Sequence, residues 1–320
     1  MHMLLLSILL RVRIMNNLNK SIIKLTSAVL SVSVVSTVNR YRNEYKRRTG
    51  LNGNEFLKDN DGNTIEYNLD LNNNSKTLIV FENGLGAPLE SWDYVKLFLK
   101  DSYNLLFYNR SKHGFTSTKL SNYEALEKIV KEKVRSDIRI IFVCHSIGAL
   151  AGCTAVENSP YIKSRTEKII LVDGTEPDLF EAYRNDSEQK GEFMQMCFQK
   201  AMAGFFGFQW WGIDKYARRT SYRPDIQEAV RLFEANPKEI FITLSEYFNI
   251  KVDSIKSILI QKQIPVSIIS SFERRTQQKK LAEDFGIPFS LIDKSAHYSI
   301  IGYPEFAWEL AREVRNVLEK

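Results

Sequence analysis

The stretch that most constrains the fold is residues 140–152, with the sequence IIFVCHSIGALAG. It begins with a continuously apolar run rich in β-branched residues, which is typical of a strand buried on both faces of a sheet. A tight turn at Ser146 follows, and the small residues after it favour a helix that packs closely on the strand. A strand that leads through a turn into a helix is the repeating unit of layered α/β domains. The sequence therefore predicts an α/β domain with further units of this kind.

Similar apolar runs alternate with helical stretches along the chain. Strands are predicted at residues 77–81, 105–108, 138–143, 169–172, 266–270 and 289–292, with an alternating, exposed hairpin strand at 64–70. Helices are predicted at residues 91–99, 123–135, 147–158 and 304–318. This order predicts a doubly wound, mostly parallel sheet with helices on both faces.

The alternation stops between residues 177 and 263, which are helix-compatible and rich in aromatic side chains. We interpret this stretch as a helical cap inserted into an α/β core of residues 51–176 and 264–320. The aromatic side chains favour an apolar acyl or alcohol group in a substrate, or else form the core of the cap itself. They include Phe205, Phe206, Phe208, Trp210, Trp211, Tyr216 and Tyr222.

Residues 1–50 differ from the rest of the chain. An apolar start is followed by a second apolar run at residues 25–38, which ends at a basic cluster in residues 40–48. The second run is shorter than the ~20 residues that a spanning helix needs. It fits a signal anchor or an export signal, and the alternatives are a helix packed on the surface of a cytoplasmic domain or a true start at Met15. A cationic flank beside an apolar run favours an anionic membrane surface over nucleic acid, so residues 1–48 predict membrane association.

Composition narrows the possible chemistry. The chain has 320 residues, a net charge of +6, three cysteines and four histidines. No Cys/His cluster has metal-ligand spacing and no nucleic-acid module is recognisable, so no metal, cofactor or nucleic-acid partner is predicted. Nothing marks a protein partner. The expected partner is a small-molecule substrate, and catalysis by histidine has a short list of candidates.

Ser146 is the candidate nucleophile. At the tip of a strand–turn–helix its hydroxyl would project above the sheet, provided that the residues two before and two after it are small. Gly148 meets this requirement, and Cys144 stands where glycine is usual. The backbone N–H of Ile147, at the start of the helix, would point toward a developing oxyanion.

A glycine-rich loop follows the predicted strand at residues 77–81. It reads Asn83-Gly84-Leu85-Gly86, with Trp92 nine residues after Asn83. Acyl transfer needs two N–H donors for the oxyanion, and Leu85 beside Gly84 would supply the second. The alternative is an ordinary strand-to-helix turn.

His297, in a loop after the last strand, is the candidate general base that takes the proton of Ser146. His145 is interpreted as structural, and His113 as a residue that shapes the site. Two acids compete for the role of orienting His297: Asp173, at the end of a predicted strand, and Glu273, after the next one. Asp173 is favoured narrowly, because its shorter carboxylate is better fixed.

These motifs resemble the α/β-hydrolase superfamily over about residues 55–318. The turn at Ser146, the Asn-Gly-Leu-Gly loop with Trp92, and Ala296-His297-Tyr298 fall in the family's order and spacing. The family often has His-Gly where this chain has Asn83-Gly84, but a backbone donor does not depend on that side chain. Serine at position 146, rather than aspartate, argues against dehalogenase and epoxide hydrolase chemistry.

The resemblance implies a serine hydrolase that cleaves an ester, thioester or amide of a small, apolar substrate through an acyl-serine intermediate. The alternatives are a peptidase or an acyltransferase with the same residues, and a non-catalytic binding protein with the same fold.

Overall fold

The computed structural model of the chain describes residues 2–48, 53–206 and 220–319. Its strands form one eight-stranded sheet in the order β1-β2-β4-β3-β5-β6-β7-β8. Strand β2 is antiparallel to both of its neighbours, and all pairings from β4 to β8 are parallel. This confirms the predicted, mostly parallel sheet. The strands are β1 (Glu55–Lys58), β2 (Thr64–Asp70), β3 (Thr77–Glu82), β4 (Asn104–Tyr108), β5 (Arg139–His145), β6 (Thr166–Val172), β7 (Val266–Ser271) and β8 (Phe289–Ile292).

Helices follow most of the strands, as expected for a doubly wound domain. A short 3₁₀ helix at Leu89–Trp92 precedes α2. The α-helices are α1 (His2–Arg48), α2 (Asp93–Leu99), α3 (Asn122–Lys133), α4 (Gly148–Asn158), α5 (Pro160–Arg165), α6 (Pro177–Asn185), α7 (Ser187–Phe205), α8 (Pro224–Glu234), α9 (Pro237–Asn249), α10 (Asp253–Gln261), α11 (Arg275–Phe285), α12 (Ser299–Gly302) and α13 (Pro304–Leu318).

The core lies on both faces of the sheet, and β5 shows why its apolar run is continuous. Ile140 and Phe142 pack in the cluster beneath α3, α4, α10 and α11, whereas Ile141 and Val143 pack in the cluster beneath α2 and α13. Successive side chains of a strand point to opposite faces, so a strand covered by helices on both sides needs an apolar residue at every position.

The described part of the predicted cap contains five helices with two kinds of packing. Helices α7 and α9 share a small core of their own, formed by Cys197, Ala201 and Ile240. Helix α10, by contrast, adds Ile255 and Ile258 to the main core of the sheet. Of the aromatic side chains noted in the sequence, Phe208, Trp210, Trp211 and Tyr216 lie outside the described residues.

The N-terminal segment is one helix of 47 residues. It continues through Lys20 and Lys24, so the apolar stretch is longer than the uninterrupted run in the sequence. Within Lys20–Lys46, an apolar stretch of 18 residues has a mean hydropathy of 1.7, and none of that stretch is buried. This helix is long and apolar enough to cross a membrane, and signal sequences share the same length and composition. Its middle contacts the cap, where Ser33 Oγ donates to the carbonyl of Phe206 at 3.0 Å.

Candidate active site

The turn between β5 and α4 places Ser146 in a strained conformation. Its φ is +55°, in the left-handed region that residues other than glycine rarely adopt. Three backbone hydrogen bonds hold it there. Its N–H donates to the carbonyl of Val172 at 3.1 Å, and its carbonyl accepts from Ala149 and Thr175, each at 3.0 Å. The strain is therefore fixed by β6 and by the first turn of α4.

Two glycines of α4 allow this turn to pack against the sheet. A Cβ on Gly148 would lie 2.5 Å from the carbonyl oxygen of Glu82, which no side chain could tolerate. A Cβ on Gly152 would lie 2.6 Å from Cys144 Sγ. Cys144 thus occupies a position where glycine is usual because Gly152 leaves room for its sulfur.

His297 lies between Ser146 and Asp173. Its Nε2 is 3.1 Å from Ser146 Oγ, and its Nδ1 is 3.1 Å from Asp173 Oδ2. The other carboxylate oxygen of Asp173 accepts from the N–H of Ser271 at 2.7 Å. Burial alone would raise the pKa of Asp173, but its bonds to His297 and Ser271 lower it below 3.8. Asp173 is therefore an anion that faces the imidazole.

Glu273, the competing acid, contacts the same residue at a different atom. Its Oε2 accepts the backbone N–H of His297 at 2.7 Å, and its own N–H donates to the carbonyl of Ser295 at 3.2 Å. Glu273 thus holds the loop that carries His297, whereas Asp173 contacts the ring.

The predicted oxyanion donors lie beside Ser146. A Cβ on Gly84 would be 3.7 Å from the Cβ of Ser146, so the glycine-rich loop passes directly next to the serine. Within the residues that the structure describes, the N–H groups of Leu85 and Ile147 have no acceptor. The loop is tied down by Asn83, whose side chain donates to the carbonyl of Tyr108 at 3.0 Å and accepts from Trp92 Nε1 at 2.8 Å.

His145 supports the loop of His297 from below. The two rings pack with centroids 4.6 Å apart, and His145 Nε2 donates to the carbonyl of His297 at 2.8 Å. Burial, together with the neighbouring His297, lowers the pKa of His145 to about 3. The ring is therefore neutral at physiological pH, and it holds the backbone of His297 in place.

A buried group of charged residues that contacts the glycine-rich loop could not be identified from the sequence. Arg110 donates to the carbonyls of Asn83 at 2.7 Å and Gly84 at 3.2 Å. It also pairs with Glu246 of α9, as does His113, which bridges Glu246 and Glu239. From the sequence, His113 is interpreted as a residue that shapes the site. The pairing of Arg110 and His113 with carboxylates of the cap could not be predicted, because these partners lie over 120 residues away in the chain and no local sequence pattern links them. No cluster suited to a metal ion occurs among the described residues.

The strand order, with Ser146 after β5 and His297 after β8, defines the α/β-hydrolase fold, and similar solved structures share it. A carboxylesterase of the archaeon Nitrososphaera gargenis superposes with a TM-score of 0.60 at 13% identity, covering 83% of this chain and 99% of that one. A bromoperoxidase from Bacillus anthracis gives 0.61 at 16% identity, covering 83% and 100%. An enol-lactonase from Burkholderia xenovorans LB400 gives 0.58 at 17% identity, with the same coverage. The sequence matches no protein-family model and no curated protein.

Proposed function

We propose that the chain is a serine hydrolase that cleaves an ester, thioester or amide of a small, apolar substrate through an acyl-serine intermediate. The observation that carries this proposal is the continuous contact from Asp173 through His297 to Ser146, with 3.1 Å at both steps. Similarity to a carboxylesterase and to a thermophilic esterase supports hydrolysis of an ester bond.

In the proposed mechanism, His297 Nε2 takes the proton of Ser146 Oγ as the oxygen attacks the substrate carbonyl. Asp173 stabilises the resulting imidazolium, and the N–H groups of Leu85 and Ile147 bind the oxyanion. The tetrahedral intermediate collapses, and His297 gives its proton to the departing alcohol, thiol or amine. Water, deprotonated by His297, then attacks the acyl-enzyme, and His297 returns that proton to Ser146 Oγ as the acid is released.

A fluorophosphonate probe tests this function, because it reacts with an activated serine. We expect labelling of the wild type and its loss in Ser146→Ala. Ser91→Ala, at a buried serine outside the site, is the matched control and should label normally. A folded wild type that is not labelled would favour the non-catalytic binding protein. If the wild type is labelled, its rates with p-nitrophenyl esters and with aminoacyl anilides separate an esterase from a peptidase.

We further propose that residues 1–48 attach the chain to a membrane. Large apolar side chains of α1 are exposed to the extent of 68% at Leu25, 60% at Leu30 and 61% at Val34, and a basic cluster follows them. Transfer of such side chains from water into a bilayer is favourable, and the cationic flank adds attraction to anionic lipids.

A further inference from the structure

Cap helix α9 is joined to the core by a buried two-bond ion pair. Glu246 Oε1 accepts from Arg110 Nε at 2.5 Å, and Glu246 Oε2 accepts from an Arg110 terminal nitrogen at 3.1 Å. The two side chains are only 9% and 3% exposed. Parallel bonds of this kind fix the plane of a guanidinium group as well as its position.

The same guanidinium also binds the glycine-rich loop. Its Nη1 donates to the carbonyl of Asn83, and its Nη2, the nitrogen that also binds Glu246 Oε2, donates to the carbonyl of Gly84. The Gly84 carbonyl belongs to the same peptide group as the N–H of Leu85. In a planar trans peptide the C=O and N–H bonds point in opposite directions. When Arg110 holds the carbonyl of Gly84, it therefore aims the N–H of Leu85 to the opposite side, and a cation on the carbonyl also makes that N–H a stronger donor.

We propose that Glu246 of the cap is a positioning residue for the oxyanion hole: it fixes Arg110, and Arg110 orients the N–H of Leu85. Docking of α9 and assembly of the oxyanion hole are then one event. This inference rests on the proposed function and adds a cap residue that acts through Arg110.

The remainder of the inner face of α9 fits the same role. Glu239, Thr243 and Glu246 are spaced by four and three residues, so they lie on one face of the helix. Thr243 sits directly against the loop, since a Cβ on Gly86 would lie 2.6 Å from Thr243 Oγ1. Glu239 Oε2 lies 2.9 Å from His113 Nδ1. Movement of α9 away from the core would break all of these contacts together.

The charges explain why Glu246 is needed. Burial alone would raise the pKa of Glu246, but Arg110 and His113 lower it to about 2, so the pair is ionised at neutral pH. A second buried carboxylate, Glu82, has one oxygen 3.5 Å from Arg110. That oxygen has no hydrogen-bond partner among the described residues. Without Glu246, we expect Arg110 to turn toward Glu82 and to release the carbonyl of Gly84.

The test compares Glu246→Gln and Arg110→Lys with wild type in kcat, KM and affinity for a trifluoromethyl ketone. Such a ketone forms a tetrahedral adduct with the nucleophile, so its affinity reports the oxyanion donors. Loss of one donor costs on the order of 10²–10³-fold in kcat. For a misaligned donor we expect roughly 10- to 100-fold losses in both kcat and ketone affinity, and a KM within about twofold of wild type.

Arg223→Gln is the matched control. Arg223 forms another two-bond pair across the cap and core, with Asp93 at 2.9 and 3.0 Å, but it is half exposed and contacts no part of the loop. We expect this variant to keep wild-type ketone affinity. An equal loss in Arg223→Gln would mean that any loosening of the cap has the same effect, and would overturn the inference.

Two further results would also overturn it: unchanged kcat and ketone affinity in Glu246→Gln, or a change in KM alone. If Glu246→Gln fails to fold, Glu246→Asp keeps the charge but shortens the reach to Arg110, and the same criteria apply to it. Failure of the wild type to react with both the ketone and the fluorophosphonate would instead reject the proposed function.

Discussion

Two acidic residues hold His297, and they contact different parts of it. Asp173 faces ring Nδ1, whereas Glu273 accepts from the backbone N–H. Both follow neighbouring parallel strands, β6 and β7, and so both arrive at the same edge of the sheet. The choice between them depends on loop conformation, including the φ of +46° at Asp173, which residue type and order along the chain do not determine.

Substitution separates the two roles. Asp173→Asn should lower kcat by about 10³–10⁴-fold, because an amide favours the wrong tautomer of the imidazole. Glu273→Gln should cost less than about tenfold, since its amide oxygen still accepts the N–H of His297. Rates on a p-nitrophenyl ester, with circular dichroism to verify folding, measure both. A larger loss in the glutamate variant would reverse the assignment.

The lowered pKa of His145 makes the stability of the folded chain depend on pH. Its pKa is lowered from 6.5 to about 3 in the folded chain, so the unfolded chain binds a proton more readily. Its contribution to stability is complete above about pH 6.5 and is lost as the pH falls toward 3, at a rate of up to about 1.4 kcal/mol per pH unit.

His145→Gln should therefore flatten the pH dependence. The amide nitrogen of glutamine can still donate to the carbonyl of His297, but glutamine does not titrate. We expect a smaller decrease in Tm between pH 6.5 and 4 than in wild type, whatever the Tm at pH 7. Parallel curves for the two proteins would contradict the prediction.

At the level of elements, continuous apolar runs in the sequence predicted most strands of the sheet. Strand β5 was predicted at residues 138–143 and runs from Arg139 to His145, because pairing with β3 and β6 carries it to the turn. Strand β1 was missed, since four residues are too few to show a pattern. The prediction that β2 is exposed was wrong: most of its residues are buried, because it lies between β1 and β4 in the sheet. The contacts of α9 were also missed, because they join loops that are distant in sequence and depend on how the cap docks.

The packing of β5 on α4 gives a test at this scale. Alanine normally stabilises a helix relative to glycine by up to about 1 kcal/mol. Gly152→Ala should instead destabilise the protein by about 1–3 kcal/mol, because its Cβ meets Cys144 Sγ. The double variant Cys144→Gly/Gly152→Ala should recover most of that loss in urea unfolding. Additive effects of the two changes would rule out the steric explanation.

At the scale of the whole molecule, α1 is apolar enough to cross a membrane and also contacts the cap. Ser33 lies in the middle of Lys20–Lys46 and bonds to the cap at Phe206. A helix that crosses a bilayer places its middle in the hydrocarbon, where the charged side chains on the surface of the rest of the chain cannot follow. Crossing the membrane therefore requires this contact to break, whereas lying along the membrane surface preserves it.

Fractionation tests the proposed attachment. We expect the full chain to remain with membranes after a high-salt wash, and Leu30→Lys/Val34→Lys to be released, since a lysine at the centre of a span costs about 2.5–3.5 kcal/mol. Ser33→Ala, which removes only the contact with the cap, should stay bound. A wild type found entirely in the soluble fraction would reject the attachment.

The burial of the three cysteines also has a practical consequence. Cys144, Cys153 and Cys197 are at most 3% exposed, and burial raises the pKa of each thiol. A maleimide dye needs an accessible thiolate, so the native chain should take up almost none. Phe198→Cys, on an exposed position of α7, should accept one dye per chain. Fluorescence from that single label would then report cap movement without removal of any native cysteine.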